Sequence, residues 1–276
     1  MIAQTAKGDA EVEVWQVDLS SYDSVREFCR KAEQLERLDV VVENAGIAVP
    51  NYEEFEGMES TITINVISTF LMALLLLPKL RADATKYNTV PRLTIVASDA
   101  HEQVCSIYDQ SSTFALLKGE QQAKFNEQNA PSIITALKST KNQPDRYNVS
   151  KLLEILTIRA LAPAMSSSPP KPTVILNTLT PGFCHSELMR HAVFPLNFLA
   201  WIGKLLLART TEMGSRTLVA AAAAGEDSHG MYMVDCEVRE PSRWVRSEKG
   251  REVQGRWYKE LMGYLEGIEP GITKNI

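Results

Sequence analysis

Short runs rich in β-branched residues alternate along the chain with longer stretches of helix-forming residues. The longer stretches are predicted as helices: Tyr22–Leu35, Ser60–Leu80, Tyr147–Met165 and Glu212–Ala224. The short runs are predicted as strands: Glu11–Val17, Leu38–Val42, Arg92–Ala97, Thr173–Thr178 and Gly230–Val234. The unbroken apolar residues inside the second and third runs favour strands that are buried on both faces. This alternation predicts an α/β fold of the Rossmann type, a doubly wound parallel sheet covered by helices.

Composition places the chain among ordinary globular proteins. Of its 276 residues, 45% are hydrophobic and 23% are charged, which argues against a disordered chain. The formal net charge is −5, so we expect no nucleic-acid partner held by phosphate neutralisation. The four cysteines are far apart and form no CxxC, so we expect no metal site and no disulfide framework. Residues 1–10 lack an apolar core, and together these features predict a cytoplasmic protein.

Two apolar stretches are candidates for membrane segments. Val66–Leu77 has twelve residues, too few to cross a bilayer, and is predicted to be a buried helix. Phe194–Ala208 is interrupted by Pro195, Asn197 and Lys204. Two interpretations of this stretch stay open, an apolar helix near a pocket and a peripheral membrane contact. We expect no integral membrane span.

Tyr147 and Lys151 are four residues apart in a predicted helix, so their side chains share one face. A nearby ammonium group favours the ionised form of a phenol. A lowered pKa would make Tyr147 a general acid and base near neutral pH. The same spacing occurs by chance on many helices, so the pair by itself identifies no function.

Other polar residues lie where an open α/β sheet binds its ligands, at the carboxyl ends of the strands. Asn44 and Gly46 follow Leu38–Val42, and a glycine there lets the backbone approach a ligand closely. Ser98 follows another predicted strand in the same way. Asn65 lies in an apolar helix, where a buried amide needs a hydrogen-bond partner. Each residue taken alone is explained equally well by an ordinary turn or cap.

Taken together, these positions resemble a known family. The segments VDLSS (17–21), ENAGIA (43–48), IN (64–65), Ser98, YNVSK (147–151) and TPGFCHSE (180–187) occur in the order typical of the short-chain dehydrogenases/reductases. Further segments resemble the retinol-dehydrogenase-like branch as found in filamentous fungi, many of whose members serve secondary-metabolite pathways. The resemblance covers nearly the whole chain and implies one Rossmann-type domain over residues 1–276.

The resemblance implies four catalytic residues. Tyr147 would donate or accept a proton at the carbinol or carbonyl oxygen. Lys151 would lower the pKa of that phenol and hold the nicotinamide ribose. Ser98 would orient the substrate oxygen, and Asn65 would anchor the water of a proton relay.

The implied cofactor is NADP(H), and NAD stays open because the positions that discriminate them are missing. Asp18 would lie against the adenine ring, while Asn44 and Gly46 would contact the adenosine ribose and the cofactor backbone. Tyr147 and Lys151 would also contact the cofactor. The residues that would wrap the nicotinamide are Pro181, Gly182, Cys184 and Ser186.

The chain departs from the family in three ways. Glu43 stands where the family more often has a second asparagine. The interval Asp99–Arg146 is longer than in simple members, which predicts an insertion over the active site and a candidate substrate lid. No two of the fourteen glycines are two residues apart, so neither GxGxxG nor TGxxxGxG is present. The family's first two strands and the phosphate-binding turn between them are therefore missing, a loss of roughly 50 residues by average element lengths.

In the family's strand order 3-2-1-4-5-6-7, this loss leaves Glu11–Val17 about 14 Å from Leu38–Val42, whose edge is then open. One interpretation is a truncated gene model or isoform, and the other is a degenerate protein whose remaining sheet re-pairs. The joint retention of Asn65, Ser98 and the Tyr147–Lys151 pair favours truncation.

The expected function is NADP(H)-dependent interconversion of an alcohol and a carbonyl on an apolar small molecule. The apolar preference rests on Phe194–Ala208. Two alternatives stay open, a non-catalytic degenerate member and a non-redox member such as a dehydratase or isomerase. Homodimerisation is common in the family and is expected here. Because the phosphate-binding turn is missing, we expect the chain as written to bind NADPH weakly or not at all.

Overall fold

The computed structural model describes residues 11–49, 51–104, 125–139, 145–166, 173–184 and 208–276. Its helices are α1 (Tyr22–Glu33), α2 (Ser60–Tyr87), α3 (Ile133–Ser139), α4 (Arg146–Met165), α5 (Thr211–Ala223), α6 (Arg243–Arg246) and α7 (Glu248–Ile268). Its strands are β1 (Val40–Glu43), β2 (Glu54–Phe55), β3 (Met58–Glu59), β4 (Arg92–Val96), β5 (Ile175–Thr180), β6 (Tyr232–Val234) and β7 (Glu237–Arg239). Short 3₁₀ helices cover Asp99–Gln103, Asn126–Asn129, Glu226–Ser228 and Ile272–Asn275.

Five strands form the main sheet in the order β1-β4-β5-β6-β7. The first three pairings are parallel, and β7 returns antiparallel to β6. Strands β2 and β3 form a separate two-stranded hairpin. Parallel neighbours separated by helical crossovers confirm the predicted Rossmann-type α/β fold.

Four predicted strands are present with shifted bounds, and the prediction for Glu11–Val17 is wrong. Residues 11–18 form no strand, and Val14 is 94% exposed. The backbone of a strand needs a hydrogen-bonding neighbour. Within the described ranges β1 pairs only with β4, so the 11–18 segment has no strand beside it. The alternative in which the sheet re-pairs is therefore not observed.

An apolar cavity lies between the 11–19 segment and the open edge of β1. Its volume is about 380 Å³, and its lining includes Trp15, Val17, Phe28, Val41 and Met72. Within the described residues, no strand pairs with the edge of β1 opposite β4, as predicted. The cavity lies along this edge.

The core lies mainly on one face of the sheet, between the sheet and helices α1, α2, α4 and α7. A smaller cluster under α5 covers part of the other face, with Val96, Leu179 and Met233. Helix α2 is long and apolar enough to cross a membrane, but 89% of its most apolar window is buried inside the protein. A helix that is apolar all round is expected in such a core. The predicted buried helix over Val66–Leu77 is confirmed.

The described part of the 99–146 insertion packs against the C-terminal helix. The Glu260 carboxylate accepts hydrogen bonds from the Ser132 hydroxyl at 2.8 Å and the Ile134 amide at 2.9 Å. At the start of α4, buried Arg146 is ion-paired with buried Glu127 at 3.1 Å. Residues 105–124 and 140–144 lie outside the described residues. That the insertion covers the substrate stays a prediction.

Alanine substitutions at two glycines of α7 should have opposite effects on the stability of the protein. Gly255 is exposed in the helix interior with open space around the added methyl, so Gly255→Ala should stabilise the protein by roughly 0.5–1 kcal/mol. At Gly250 the methyl carbon would lie 2.0 Å from the Trp244 carbonyl oxygen, so Gly250→Ala should destabilise it. Urea unfolding of both variants checks this, and equal effects of the two substitutions would contradict the packing of α6 on α7.

Candidate active site

Helix α4 carries the Tyr147–Lys151 pair at the carboxyl edge of the sheet. Lys151 is only 5% exposed, and its Nζ donates to the Val96 carbonyl oxygen at 2.8 Å. The same Nζ lies 5.9 Å from the centroid of the Tyr147 ring. The predicted sharing of one helix face is therefore present, and β4 fixes the ammonium through its last carbonyl.

Lys151 has a buried counter-ion that the sequence analysis missed. Glu154, one helical turn further along α4, is 1% exposed. Its two carboxylate oxygens accept hydrogen bonds from Lys151 Nζ at 2.8 and 3.1 Å. The i, i+3 spacing of the two residues was the available signal.

Asn65 occupies a π-helical turn, Thr63–Ser68, inside α2. Its Oδ1 accepts a hydrogen bond from the Ile47 amide at 2.9 Å, and its Nδ2 donates to the Ile47 carbonyl at 3.0 Å. The same Nδ2 donates to the Ser150 hydroxyl at 3.0 Å. The predicted need of this buried amide for partners is confirmed, and π turns are frequent at functional sites.

Gly46 allows the turn after β1 to approach both of these groups. A methyl carbon at this position would lie 3.1 Å from Asn65 Oδ1 and 3.8 Å from Lys151 Nζ. A side chain here would crowd the amide that holds Ile47. The structure thus places Gly46, Asn65 and Lys151 together, as the sequence analysis expected.

Ser98 lies beside Tyr147 at the end of β4. Its hydroxyl oxygen accepts a hydrogen bond from the Ala100 amide at 3.1 Å and so begins the Asp99–Gln103 3₁₀ helix. A hydrogen bond with the Ser98 side chain also lowers the pKa of Tyr147. Ser98 therefore combines the capping role with a position next to the phenol.

The pKa of Tyr147 is raised above its ordinary value in this structure. Burial is the largest cause, and the Glu154 charge acts in the same direction, whereas Lys151 and Ser98 lower the pKa. The expectation of a net lowering by Lys151 is therefore not met in this structure. The physical reason is that burial disfavours the phenolate while Glu154 offsets the charge of the ammonium.

Asp18 and Asn44 are exposed and lie apart from the hydrogen bonds of this cluster. Asp18 Oδ1 accepts from the Ser20 amide at 2.9 Å and from its hydroxyl at 2.7 Å, and these bonds lower the pKa of Asp18. In this structure Asp18 organises the turn before α1, while Ser21 caps that helix. Contacts of Asp18 or Asn44 with a cofactor stay predictions.

The loop after β5 is joined to the Ser98 loop through Thr180. The Thr180 hydroxyl accepts hydrogen bonds from the amides of Asp99 at 3.2 Å and Gly182 at 3.1 Å. Pro181 accepts a hydrogen bond from the Cys184 thiol at 3.2 Å. These loops meet at one edge, as expected for residues that wrap a nicotinamide. Ser186 and the 185–207 segment lie outside the described residues.

Two further residues that support the site were missed. The Ser150 hydroxyl donates to the Tyr147 carbonyl at 2.7 Å and so links Asn65 to the start of α4. His101 is fully buried, with Nδ1 2.8 Å from the Ser98 carbonyl and Nε2 accepting from the Ser242 amide at 3.2 Å. These bonds assign the Nδ1–H tautomer. Such contacts depend on the fold, so spacing along the chain offered no signal for His101.

The fold and this cluster define a doubly wound α/β oxidoreductase. The family model described as short chain dehydrogenase matches residues 1–108. The short chain dehydrogenase/reductase dmxR8 of Cryptosporiopsis sp. is 42% identical over 273 residues, which cover 98% of this chain and 78% of the relative. The chain belongs to the short-chain dehydrogenase/reductase family, whose members act on CH–OH groups with NAD(P).

Solved structures agree on the fold. An uncharacterised protein from Mycobacterium paratuberculosis matches with a TM-score of 0.58 at 21% identity, covering 95% of this chain and 78% of that protein. The RhlG–NADP complex of Pseudomonas aeruginosa matches with a TM-score of 0.50 at 21% identity, covering 79% and 72%. At these identities the likeness establishes the architecture of the sheet and helices.

Removing the Asn65 amide should destabilise the fold without any ligand present. Asn65→Ala leaves the Ile47 amide and carbonyl without their side-chain partner, which should cost about 1–3 kcal/mol. Urea unfolding measures this loss, with exposed Asn126→Ala as the matched control. A loss no larger than that of the control would contradict the buried network around Ile47.

Proposed function

We propose that this protein is an NADP(H)-dependent oxidoreductase that interconverts an alcohol and a carbonyl on an apolar small molecule. The observation that carries the proposal is the convergence of Ser98, Tyr147, Lys151 and Asn65 at the carboxyl edge of a parallel sheet. Open α/β sheets bind ligands at this edge. On the family resemblance, we also propose that the protein is cytoplasmic and forms a homodimer.

The residues present fit the nicotinamide half of a dinucleotide. The backbone at Gly46 leaves space that a Cβ would fill beside Asn65 and Lys151. The Lys151 ammonium borders this space, 3.8 Å from the position of that Cβ. Pro181 and Gly182 lie on the neighbouring loop. When bound, the cofactor supplies the hydride. The glycine-rich turn that would seat its pyrophosphate does not occur in the sequence.

The protein's own residues would move and place the proton. The Tyr147 hydroxyl would donate a proton to the carbonyl oxygen in reduction and accept it from the alcohol in oxidation. The Ser98 hydroxyl, beside that phenol, would donate a hydrogen bond to the same oxygen and orient it. Asn65, held by Ile47 and Ser150, would position water next to Lys151 for exchange with solvent.

The substrate class and the cofactor preference rest on the family resemblance. An apolar substrate is inferred from Phe194–Ala208, which follows the nicotinamide loop in the chain. The retinol-dehydrogenase-like resemblance supports NADP over NAD and a role in secondary metabolism. The second candidate is a non-catalytic member, favoured by the open β1 edge and its apolar cavity.

NADPH binding separates these two candidates. Nicotinamide fluorescence should show weak or no binding to the 276-residue chain. A version extended with the N-terminal segment of the Cryptosporiopsis relative should bind NADPH. Absence of binding to the extended version would support the non-catalytic candidate, while tight binding by the unextended chain would contradict the inferred loss of the phosphate seat.

The mechanism is tested by substituting the proposed catalytic residues in the N-terminally extended version, provided that this version binds NADPH. Tyr147→Phe removes only the hydroxyl and should lower turnover at least about 10²-fold while NADPH affinity changes little. Ser98→Ala should reduce turnover alone. Lys151→Met should reduce both turnover and NADPH affinity.

Each variant of this series must first be shown to keep the parental fold. Far-UV circular dichroism and melting temperature of each variant must match those of the parent. Near-parental turnover of a folded Tyr147→Phe protein would show that the phenol is not the acid and base, and the redox mechanism proposed here would be wrong.

A further inference from the structure

Lys151 is ion-paired with one buried carboxyl group, Glu154, whose charge acts in turn on a second buried carboxyl group, Glu43. The proposed reaction uses neither carboxyl group. Glu154 binds the ammonium with both oxygens, at 2.8 and 3.1 Å, and the Val96 carbonyl binds it at 2.8 Å. Lysine carries three N–H donors, so these contacts account for all of them. In this structure the ammonium is therefore turned toward the protein interior.

The second carboxyl group belongs to Glu43, the last residue of β1. Both of its oxygens are buried and have no hydrogen-bond partner within the described residues. Burial raises the pKa of Glu43 well above its ordinary value, and the charge of Glu154 raises it further. Burial also raises the pKa of Glu154 to about 7, although Lys151 acts in the opposite direction.

The charges around this pair do not balance if both carboxyl groups are ionised. From α4, Lys151 provides one positive charge, and Tyr147 faces it as a neutral phenol. From α1, the Cys29 thiol is buried, and Glu43 and Glu33 both act on it, raising its pKa. From the 3₁₀ helix after β4, Asp99 adds negative charge near Tyr147. Glu154 is paired with the ammonium, so an ionised Glu43, whose buried oxygens have no hydrogen-bond partner within the described residues, would leave an uncompensated negative charge in the interior.

We propose that Glu43 keeps a proton in the folded protein, and that Glu154 is a positioning residue that sets how strongly the charge of Lys151 acts on Tyr147. When Glu154 is ionised, it holds the ammonium against Val96 and offsets its charge. When Glu154 is neutral, this offset is removed. This inference deepens the proposed function, because it rests on Tyr147 as the acid and base.

The effect on Tyr147 can be measured without cofactor or substrate. Glu154→Gln keeps the side-chain volume and an oxygen that accepts from Lys151, but removes the negative charge. The ionisation of tyrosines is followed by the ultraviolet absorbance of the phenolate as pH rises. Subtracting the titration of the matching Tyr147→Phe version leaves the signal of Tyr147 alone. We expect Glu154→Gln to lower the ionisation midpoint of Tyr147 by about one pH unit, and exposed Glu27→Gln to leave it unchanged. An unchanged or raised midpoint in folded Glu154→Gln would overturn the proposal.

The proton on Glu43 is tested through stability, using Glu43→Gln. The folded parent keeps a proton on Glu43 that the unfolded chain releases above about pH 4.3. Parent stability should therefore fall as pH rises from about 4.5 toward the raised folded pKa. The amide introduced by Glu43→Gln binds no proton, so the melting temperature of the variant relative to parent should increase between about pH 5 and 8.

Exposed Glu27→Gln is measured in parallel as the control. A pH-independent difference between Glu43→Gln and parent would overturn the proton on Glu43. Neither measurement uses NADPH or turnover, so a failure here is distinct from a failure of the proposed redox function. The Glu43→Gln series stands on its own if Glu154→Gln does not fold.

Discussion

The position of a single buried ammonium group organises the candidate site. Lys151 Nζ joins the last carbonyl of β4 to Glu154 of α4 and lies beside the Tyr147 ring. An ammonium buried in this way needs partners for its charge and for its hydrogen-bond donors. Gly46 leaves room for this arrangement, because a Cβ there would lie 3.1 Å from the Asn65 amide oxygen next to the same ammonium. The surroundings of this one ammonium group thus constrain the relative positions of β4, α4 and the turn after β1.

The sequence was sufficient to predict the parts of the fold that local patterns determine. The apolar runs of β4 and β5 and the long buried α2 follow from hydrophobicity, because each element is covered on both sides. The apolar run of β1 also forms a strand, but Val40 and Val42 are 42% and 38% exposed, so the prediction that this run is buried on both faces is wrong. Burial on both faces requires neighbouring elements that the run itself does not specify. Glu11–Val17 has an equally good strand pattern, but a strand forms only where a neighbour accepts its hydrogen bonds. That information lies in the tertiary arrangement, so propensity alone led to the wrong element.

The residues of the candidate site that belong to sequence motifs were predictable from the sequence. The motifs identified Ser98, Tyr147 and Lys151, which the structure brings together, and the amide of Asn65, whose partners are backbone groups. The contribution of His101 was not predicted because its partners, the Ser98 and Ser242 backbones, are chosen by packing. The i, i+3 spacing of Lys151 and Glu154 was a signal in the sequence, but the burial of the pair depends on packing. The raised pKa of Tyr147 has the same origin, since burial depends on neighbours far apart in the chain.

The π-helical turn in α2 has a consequence for how this helix can evolve. A π turn contains one residue more than an α turn, and one residue corresponds to about 100° of rotation around the helix axis. The extra residue is accommodated within Thr63–Ser68, where Asn65 reaches the Ile47 backbone. Point substitutions keep this count of residues, whereas a one-residue deletion would remove the wide turn that carries Asn65. Deletions in this turn are therefore expected to displace the amide that anchors Ile47.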